Sequence, residues 1–581
     1  MGGREGTTAE VPPRRGPTIA ALAEIDTQRF GSDGPGPRPP LGPEPPGPPG
    51  GQPPGEPPGS GPRRRRIADN TAIFAIATAL SRVAGLGREV AGAAFFGTSA
   101  AYSAYTLASQ VPNLFSNLFS QAALSAAFVP VFTELLQKGR KREAFRLAAT
   151  LFWVILVALG ALTLVWLAIA GVVTPLFTAS GIPAALTAGL SRVLFPVVLL
   201  LSLTGLLVGI LQAYDEFTIP ALTPAVWNIV ILVGLIVLRG QFHGEDQVYA
   251  YAIAWLAATV VQFLMVVAAL RRIDFRLAFS FDWRDPRVRQ VLILFVPVTL
   301  SIGIVNLDIF INSGFGSLVG SYAPAAINQA FRIYMLPQGI FSVAVTTVLF
   351  PTLSRMAARR DVGGMRRTMG TGMRQINLLL IPSAAILIVL GTPITRLVFQ
   401  RGAFNALSTH YVSEALKTFA LSLPFGGINL LLTRTFFSLR RAWIPTRLAA
   451  LNIVILVATS TALYKPLGIT GIVLGTVFAN AVMMVRQLHR MRIGFNGRLE
   501  GAKTMMITFR ILVATAIMAG LAYGVWSLVD RVVGTSLLGQ ILSVGLALAI
   551  SSAAYAWLTL AMRIPEARQI QDLVLTRIGR G

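Results

Sequence analysis

From about residue 70 onward the chain is a succession of apolar segments, each long enough to cross a lipid bilayer as a helix. A helix rises about 1.5 Å per residue, so about 20 apolar residues cover the ~30 Å of hydrocarbon. Hydrophobic residues form 54% of the chain and charged residues only 13%, whereas about a quarter of a soluble domain is charged. We therefore expect an all-α polytopic membrane protein with about 14 transmembrane helices, over residues 70–95, 102–133, 147–176, 187–213, 217–238, 248–270, 288–313, 322–354, 371–398, 409–437, 444–463, 468–490, 507–529 and 536–562.

The first 66 residues differ from the rest of the chain in composition. Residues 31–62 are mostly glycine and proline, with almost no apolar side chains whose burial could offset the entropy of ordering. The segment ends in four consecutive arginines at 63–66, directly before the first apolar segment. Arginines beside a transmembrane helix favour the cytoplasmic side. Residues 1–66 are therefore predicted to form a disordered, Pro/Gly/Arg-rich cytoplasmic tail.

Basic residues alternate between rich and poor loops along the chain. The rich loops lie around residues 138–146, 271–289, 355–374, 440–447 and 486–510, and the C-terminus adds further arginines. This pattern predicts an even number of spans with both termini in the cytoplasm. It also accounts for the net charge of +25 without a nucleic-acid partner, because the charge is spread over separate loops instead of one binding face.

Two stretches about 225 residues apart read alike, which indicates an internal repeat. FVPVFTE at 128–134 corresponds to LFPTLSR at 349–355. NIVILV occurs at both 228–233 and 452–457, and an Ile-Pro pair, at 219–220 and 444–445, lies shortly before each copy. An offset of six helices gives both copies the same orientation, which predicts two six-helix lobes in a parallel pseudo-repeat with a site between them. The predicted divisions are an N-lobe at 67–275, a C-lobe at 276–495, and two extra C-terminal helices with a cytoplasmic C-terminus at 496–581. Chance similarity among Leu/Val/Ile-rich helices is the alternative.

The first apolar segment carries Ser81, Arg82, Arg88 and Glu89. Charged side chains at membrane depth are costly unless they face a partner or a wet cavity. Arg82 and Glu89 lie two turns apart on one helix face, and Arg88 lies next to that face. Two interpretations are open: a cationic lining for an anionic substrate, or an ion pair that only holds helices together.

Further polar side chains fall in the second, seventh and eighth segments. Asn113 and Asn117 belong to a polar stripe that could line a wet cavity or form hydrogen bonds between helices. Asn328 and Arg332 lie one turn apart, and we expect Arg332 to face the arginines of the first segment. Asp308 could bind a cation or a proton, or it could pair with Arg332.

Enzyme chemistry finds little support in the sequence. The absence of cysteine excludes disulfides, zinc–cysteine sites, iron–sulfur clusters and cysteine nucleophiles. The three histidines, His243, His410 and His489, are dispersed, and no phosphate-binding loop pattern occurs. We expect a transporter and not an enzyme.

In the charged motif of the first apolar segment and in several later motifs, the sequence resembles the MurJ (MviN) lipid II flippases of the MOP exporter superfamily. The segment SRVAGLGRE at 81–89 fits the Ser-Arg-x-x-Gly-x-x-Arg-acidic pattern of that family. Further matches follow in the family's order: VPNL at 111–114, AFVP at 127–130, FTIPA at 217–221, LFP at 349–351 and VFQRGAF at 398–404. The resemblance covers about residues 70–562.

The resemblance implies a flippase in the bacterial plasma membrane. Such a protein moves a lipid-linked peptidoglycan precursor, lipid II, from the inner to the outer leaflet by alternating access. Arginines of a central cavity would hold its diphosphate, since the planar guanidinium binds phosphate oxygens in pairs. Arg82, Arg88 and Arg332 match the family's cavity positions. The polar residues near them on the helices complete the set of candidate site residues, namely Ser81, Glu89, Asn113, Asn117 and Asn328.

The resemblance implies no cofactor, but some family members bind sodium in the C-lobe. Asp308, Asn312 and Asn452 are therefore candidate sodium ligands, and Na⁺, H⁺ or the membrane potential are candidate driving forces. The expected partners are the undecaprenyl-diphosphate-linked precursor, membrane lipids and the cell-wall synthesis machinery.

The chain also departs from the family pattern. Ser103, the pair Ser116 and Asn117, and the neighbourhood of Phe331 and Met335 are neutral where members often carry charges. Three alternatives therefore stay open: a flippase for another polyprenyl-linked glycan, an ion-coupled small-molecule exporter of the MATE type, or a non-transporting membrane scaffold for cell-wall synthesis.

Overall fold

The computed structural model describes residues 77, 80–118, 121–179, 181–273, 275, 279–441, 443–495, 499–534 and 536–578. The predicted N-terminal tail and its four arginines lie outside these residues. All regular structure in the described ranges is helical, which confirms the predicted all-α class.

Eight helices form the first half of the described chain. They are α1 at residues 80–96, α2 (Ala100–Leu118), α3 (Gln121–Gln137), α4 (Lys141–Val173), α5 (Ala184–Leu194), α6 (Pro196–Ala213), α7 (Thr218–Leu238) and α8 (Tyr249–Leu270).

The second half and the C-terminal part follow in the same way. The second half comprises α9 (Pro286–Val319), α10 (Ala323–Pro337), α11 (Val343–Ala358), α12 (Val362–Val389), α13 (Gly391–Phe399), α14 (Ala406–Ser438) and α15 (Trp443–Gly494). The C-terminal part comprises α16 (Gly501–Val533), α17 (Leu537–Ala561) and α18 (Pro565–Ile578).

Many of these helices can cross a membrane. Within the described residues, 10 helical stretches are long and apolar enough to do so, and two shorter apolar helices, Phe128–Gln137 and Leu307–Val319, accompany them. The protein is thus a multi-pass membrane protein, as its apolar segments predicted. The count of about 14 spans stays a prediction.

The predicted spans can be compared with the observed helices. The span predicted over 322–354 is interrupted by a π turn, Gln338–Ser342, because Pro337 has no backbone N–H to continue the α-helical pattern. The span predicted over 371–398 is divided into α12 and α13. The two spans predicted over 444–463 and 468–490 are both observed as helices, which meet within α15. α15 breaks at Gly468, where φ is 57°, a conformation that glycine adopts at little cost.

The buried apolar side chains form separate clusters, and each cluster is drawn mainly from one half of the chain. In the first half, one cluster centres on Phe128 and Phe132 of α3, and a second lies between α1, α2, α5, α7 and α8. The second half has one large cluster that includes Phe399, Phe404 and Phe419. The division into two packed bodies agrees with the predicted repeat, although the lobe boundaries stay a prediction.

Corresponding residues of the repeat occupy similar places in the two halves. Pro220 is the third residue of α7, and Pro445 is the third residue of α15. Asn228 and Asn452, which open the repeated NIVILV sequence, are both buried. A proline near a helix start is tolerated, since the first N–H groups have no partner within the helix.

The halves meet along a few helices. α9 packs against α2 and α3, and α10 packs against α2. In the C-terminal part, α16 packs on α12 of the second half, and α17 packs on α16 and α13. The surface between α1, α2, α9 and α10 is therefore where residues from both halves come together.

Candidate functional site

One face of α1 is fixed against α7 and α8. The side-chain amide of Asn228 donates to the Ser81 backbone oxygen at 3.3 Å and to Ser81 Oγ at 3.4 Å. A Cβ at Gly85 would lie 3.5 Å from Asn228, and one at Gly92 only 2.8 Å from the Tyr251 ring. Ser81, a predicted site residue, therefore contacts the interior of the first half, and the small residues beside it let α1 approach α7 and α8 closely.

Arg88 is enclosed within the first half. It is 9% exposed, and its Nη2 donates to Glu89 Oε1 at 2.5 Å. The guanidinium lies over the Trp227 ring, 5.0 Å from the centroid, which is within the range of a cation–π interaction. The structure thus places Arg88 where it can orient Glu89, and its predicted contact with a substrate stays a prediction.

Glu89 connects the two halves. Its Oε1 lies 3.6 Å from Arg332 Nε on α10, and their side chains are 13% and 45% exposed, respectively. This distance is longer than the 2.7–2.9 Å of a direct charge-assisted hydrogen bond, so Arg332 retains capacity for another anion. Arg332 thus lies beside the charged residues of the first segment through Glu89, and its predicted role at a substrate stays a prediction.

Arg82 is exposed, and it makes no ion pair with the side chains that the structure describes. It precedes Glu89 by two turns, or about 10 Å along the helix axis. Of the three predicted site arginines, Arg82 and Arg332 are therefore exposed, whereas Arg88 is buried.

The asparagines of the predicted site differ in position. Asn113 on α2 and Asn328 on α10 are half-buried, and Asn328 precedes Arg332 by one turn. The side chain of Asn117 lies outside the described side chains. On the same stripe, Gln110 donates to Ser313 of α9 at 3.4 Å, so at this position the stripe forms hydrogen bonds between helices.

The candidate sodium ligands lie on α9 and α15, which pack together. Asn312 is buried; its amide nitrogen donates to Thr476 Oγ1 at 2.9 Å, while its Oδ1 has no donor within the described structure. A buried acceptor of this kind fits an oxygen ligand of a hard cation. Asn452 instead donates to Met483 Sδ at 3.7 Å. Asp308 is half-buried and forms no ion pair with a described side chain. The alternative pairing of Asp308 with Arg332 is therefore not observed, and Arg332 lies beside Glu89 instead.

The halves also meet where α1 ends. The Ala403 N–H donates to the Ala94 oxygen at 2.7 Å, Thr98 Oγ1 lies 2.9 Å from Ser408 Oγ, and Gln329 donates to the Gly97 oxygen at 3.1 Å. We call the contacts among residues 94–98, 402–408 and Gln329 the end closure. They join the two halves at this end of α1.

Sequence reasoning missed two features of this region. Trp227 and Tyr251 are aromatic residues in apolar helices and carry no signal of their contact with α1. Gly97 and Gly402, both with φ of 58°, stand back to back: a Cβ would lie 2.6 Å from the Ala403 oxygen and 2.3 Å from the Ala94 oxygen, respectively. Glycine has no Cβ and lets two backbones approach closely, so these two glycines were the sequence signal for this contact.

Comparison with known proteins agrees with this architecture. The family described as lipid II flippase MurJ matches residues 92–543. The lipid II flippase MurJ of Burkholderia cenocepacia is 31% identical over 402 residues, which cover 67% of this chain and 77% of the relative. The probable lipid II flippase MurJ of Rhizobium meliloti is 29% identical over 77% of this chain and 84% of the relative.

Solved structures show the same fold. A lipid II flippase MurJ in an inward closed conformation superposes with a TM-score of 0.70 at 24% identity, over 83% of this chain and 98% of that one. An inward-facing MATE-family transporter of the MOP superfamily gives a TM-score of 0.61 at 17% identity, over 72% and 94% of the two chains. The match of the family over most of the chain, on a two-part helical membrane fold, shows that this protein belongs to the MurJ family of lipid II flippases, which are transporters and not enzymes.

Proposed function

We propose that this chain moves lipid II from the inner to the outer leaflet by alternating access, with its diphosphate held between Arg82 and Arg332. The observation that carries this proposal is the contact between Glu89 of the first half and Arg332 of the second. It joins the two halves, and it leaves nearly half of the Arg332 side chain exposed.

The geometry supports an exchange of partners at Arg332. A diphosphate carries more charge than one carboxylate and offers oxygens in pairs to the planar guanidinium. Substrate entering the space between the halves would therefore replace Glu89 at Arg332. Arg88 would stay with Glu89 and neutralise it while Arg332 is engaged with the substrate.

The surroundings of the site follow from the same proposal. The alternation of basic loops supports a plasma-membrane protein with both termini in the cytoplasm. The end closure then lies at the outer surface. In alternating access it would open when the space between the lobes becomes accessible from the outside. A cation at Asn312, or the membrane potential, would supply the driving force.

Complementation of a conditional flippase-depletion strain tests this function. The wild-type chain is expected to restore growth, whereas Arg82→Ala and Arg332→Ala are expected to fail at equal expression. Arg271→Ala, which removes an exposed loop arginine, is the matched control and is expected to rescue. Rescue by both Arg82→Ala and Arg332→Ala would contradict a diphosphate site at these two arginines.

The open alternatives give different outcomes. If wild type fails to rescue, purified protein is titrated with lipid II and with other polyprenyl-diphosphate glycans. Preference for another glycan would change the substrate but keep the arginine site. A scaffold would be supported instead if the protein binds neither lipid II nor the other glycans, and if deletion of residues 1–66 abolishes its association with partner proteins.

A further inference from the structure

The connection between the two halves carries large apolar side chains at its surface. Phe279 is 79% exposed, Phe281 46% and Trp283 58%. Such exposure in a group indicates a surface that meets another molecule or the lipid phase. In membrane proteins aromatic side chains gather at the depth of the lipid headgroups, where one end is apolar and the other is wet.

A cavity lies directly beside these side chains, at the start of α9. Its volume is about 540 Å³, and it is lined by Arg284, Pro286, Arg289, Gln290 and Ile293. We call it the loop cavity. Its lining combines two guanidinium groups and an amide with Ile293, which is 60% exposed. It is thus cationic at the α9 start and apolar one turn further along the helix.

The neighbouring charges leave the loop cavity with an excess of positive charge. Arg287 pairs with Glu143, and Arg146 pairs with Asp282 at 3.2 Å. Asp285 accepts a hydrogen bond from the Arg287 N–H and so caps α9.

The two arginines of the cavity differ from these neighbours. Arg284 and Arg289 have no carboxylate partner among the described residues, and both are exposed. Arg284 lies over the Trp283 ring at 5.2 Å, which holds its guanidinium beside that exposed side chain. The acidic residues that the structure describes in this loop, Asp282 and Asp285, are therefore engaged elsewhere, and the two cavity arginines are available to an anion.

We propose that the loop cavity binds the headgroup of an anionic phospholipid of the surrounding membrane. The phosphate would lie between Arg284 and Arg289, with Gln290 as a further donor. The acyl chains would pass Ile293 and the exposed aromatic side chains. A soluble phosphate would contact the arginines and Gln290 but not these apolar groups, whereas a phospholipid contacts both. The lining therefore favours a lipid. Basic pockets beside transmembrane helices are general sites for anionic headgroups.

Lipid titration of the full-length protein in detergent, followed by native mass spectrometry, tests the proposal. Phosphatidylglycerol is the anionic probe and phosphatidylcholine the zwitterionic comparison. Wild type is expected to bind phosphatidylglycerol preferentially, and Arg284→Gln/Arg289→Gln is expected to weaken this binding about tenfold or more, since each arginine near the surface contributes about fivefold.

Matched variants separate a specific site from general charge. Arg486→Gln/Arg490→Gln removes two exposed arginines from the end of α15 and is expected to leave the affinity within about twofold. Gln290→Glu keeps both cavity arginines and adds a negative charge, so it is expected to weaken binding even if the double variant does not fold. Glycerol 3-phosphate is expected to compete poorly.

Three results would overturn the proposal. The first is equal loss of binding in the α15 control. The second is equal affinity of wild type for the two lipids. The third is full displacement of phosphatidylglycerol by glycerol 3-phosphate, which would assign a soluble anion to the cavity. None of these measurements depends on transport, so they are independent of the proposed flippase function.

Discussion

Arg332 on α10 lies 3.6 Å from Glu89 on α1, and Glu89 in turn binds Arg88 at 2.5 Å. Three charges from two halves of the molecule thus form one group. Their environments differ: Arg88 is enclosed beside Trp227, whereas nearly half of the Arg332 side chain is exposed. The enclosed arginine is suited to hold the carboxylate in place, and the exposed one is suited to exchange partners.

Replacing Arg88 is expected to cost more stability than replacing Arg82. Arg88→Leu leaves Glu89 buried with only the longer Arg332 contact, and removal of one partner from a buried ion pair costs about 3–5 kcal/mol. Arg82→Leu changes an exposed side chain and is expected to cost less than about 1 kcal/mol. Thermal unfolding of both variants in the same detergent measures the difference. Equal midpoints would show that Arg88 is not held as the structure indicates.

A disulfide across the end closure is expected to lock the protein. The chain has no cysteine, so Thr98→Cys/Ser408→Cys introduces the only thiols, at hydroxyl positions 2.9 Å apart. Under oxidation we expect a cross-link and loss of complementation, with recovery after reduction, because the halves could no longer separate there. Thr98→Cys/Thr409→Cys is the control, since Thr409 bonds to Gln400 instead. Undiminished activity in the cross-linked protein would mean that this end need not open.

A side chain at Gly402 is expected to loosen the same closure. A Cβ there would meet the Ala94 oxygen at 2.3 Å, and the φ of 58° disfavours any other residue. In Gly402→Ala, a cysteine placed at the fully buried Ser103 should react faster with a membrane-impermeant maleimide than in the parent. Gly240→Ala, with open space around its Cβ position, is expected to leave that rate unchanged. Identical labelling in both variants would contradict a tight closure.

Arg374 is expected to hold the C-terminal helix to the rest of the protein. Its side chain donates to Glu566 of α18 and, through Nη1, to Glu500 at 2.9 Å. Because Arg374 and Glu566 are both almost fully buried, Arg374→Ala should leave Glu566 without its charge partner and release α18.

Limited proteolysis measures this release. Cleavage between α17 and α18 should become faster in Arg374→Ala than in wild type. Arg359→Ala, an exposed arginine before α12, is the control and should show the wild-type pattern. Protection of α18 in Arg374→Ala would show that its apolar contacts alone hold it.

Much of the fold could be predicted because a bilayer limits what a chain can form. Backbone groups in hydrocarbon must be satisfied internally, so long apolar segments become helices, and basic loops indicate their orientation. Helix bounds were less predictable, because the π turn after Pro337 depends on local backbone geometry that hydropathy does not record.

The candidate site was predictable only in its residue types. Arg82, Arg88 and Glu89 could be recognised as charges at membrane depth, and Arg332 as their counterpart in the second half. The sequence could not separate Arg88 from Arg82, because the distinction depends on Trp227 and Tyr251, which lie far away along the chain. It also left two possible partners for Arg332, Asp308 and a first-helix charge.

The sequence by itself therefore determined that this is a helical, multi-pass membrane protein with a few arginines left in apolar surroundings. Hydrophobicity and loop charge are local properties, and they act on each segment independently. The tertiary structure alone decided that Arg88 is enclosed, that Arg332 meets Glu89 and not Asp308, and that Gly97 and Gly402 bring the two halves into backbone contact. Those outcomes depend on distances between side chains from different helices, and such distances are fixed only when the helices pack.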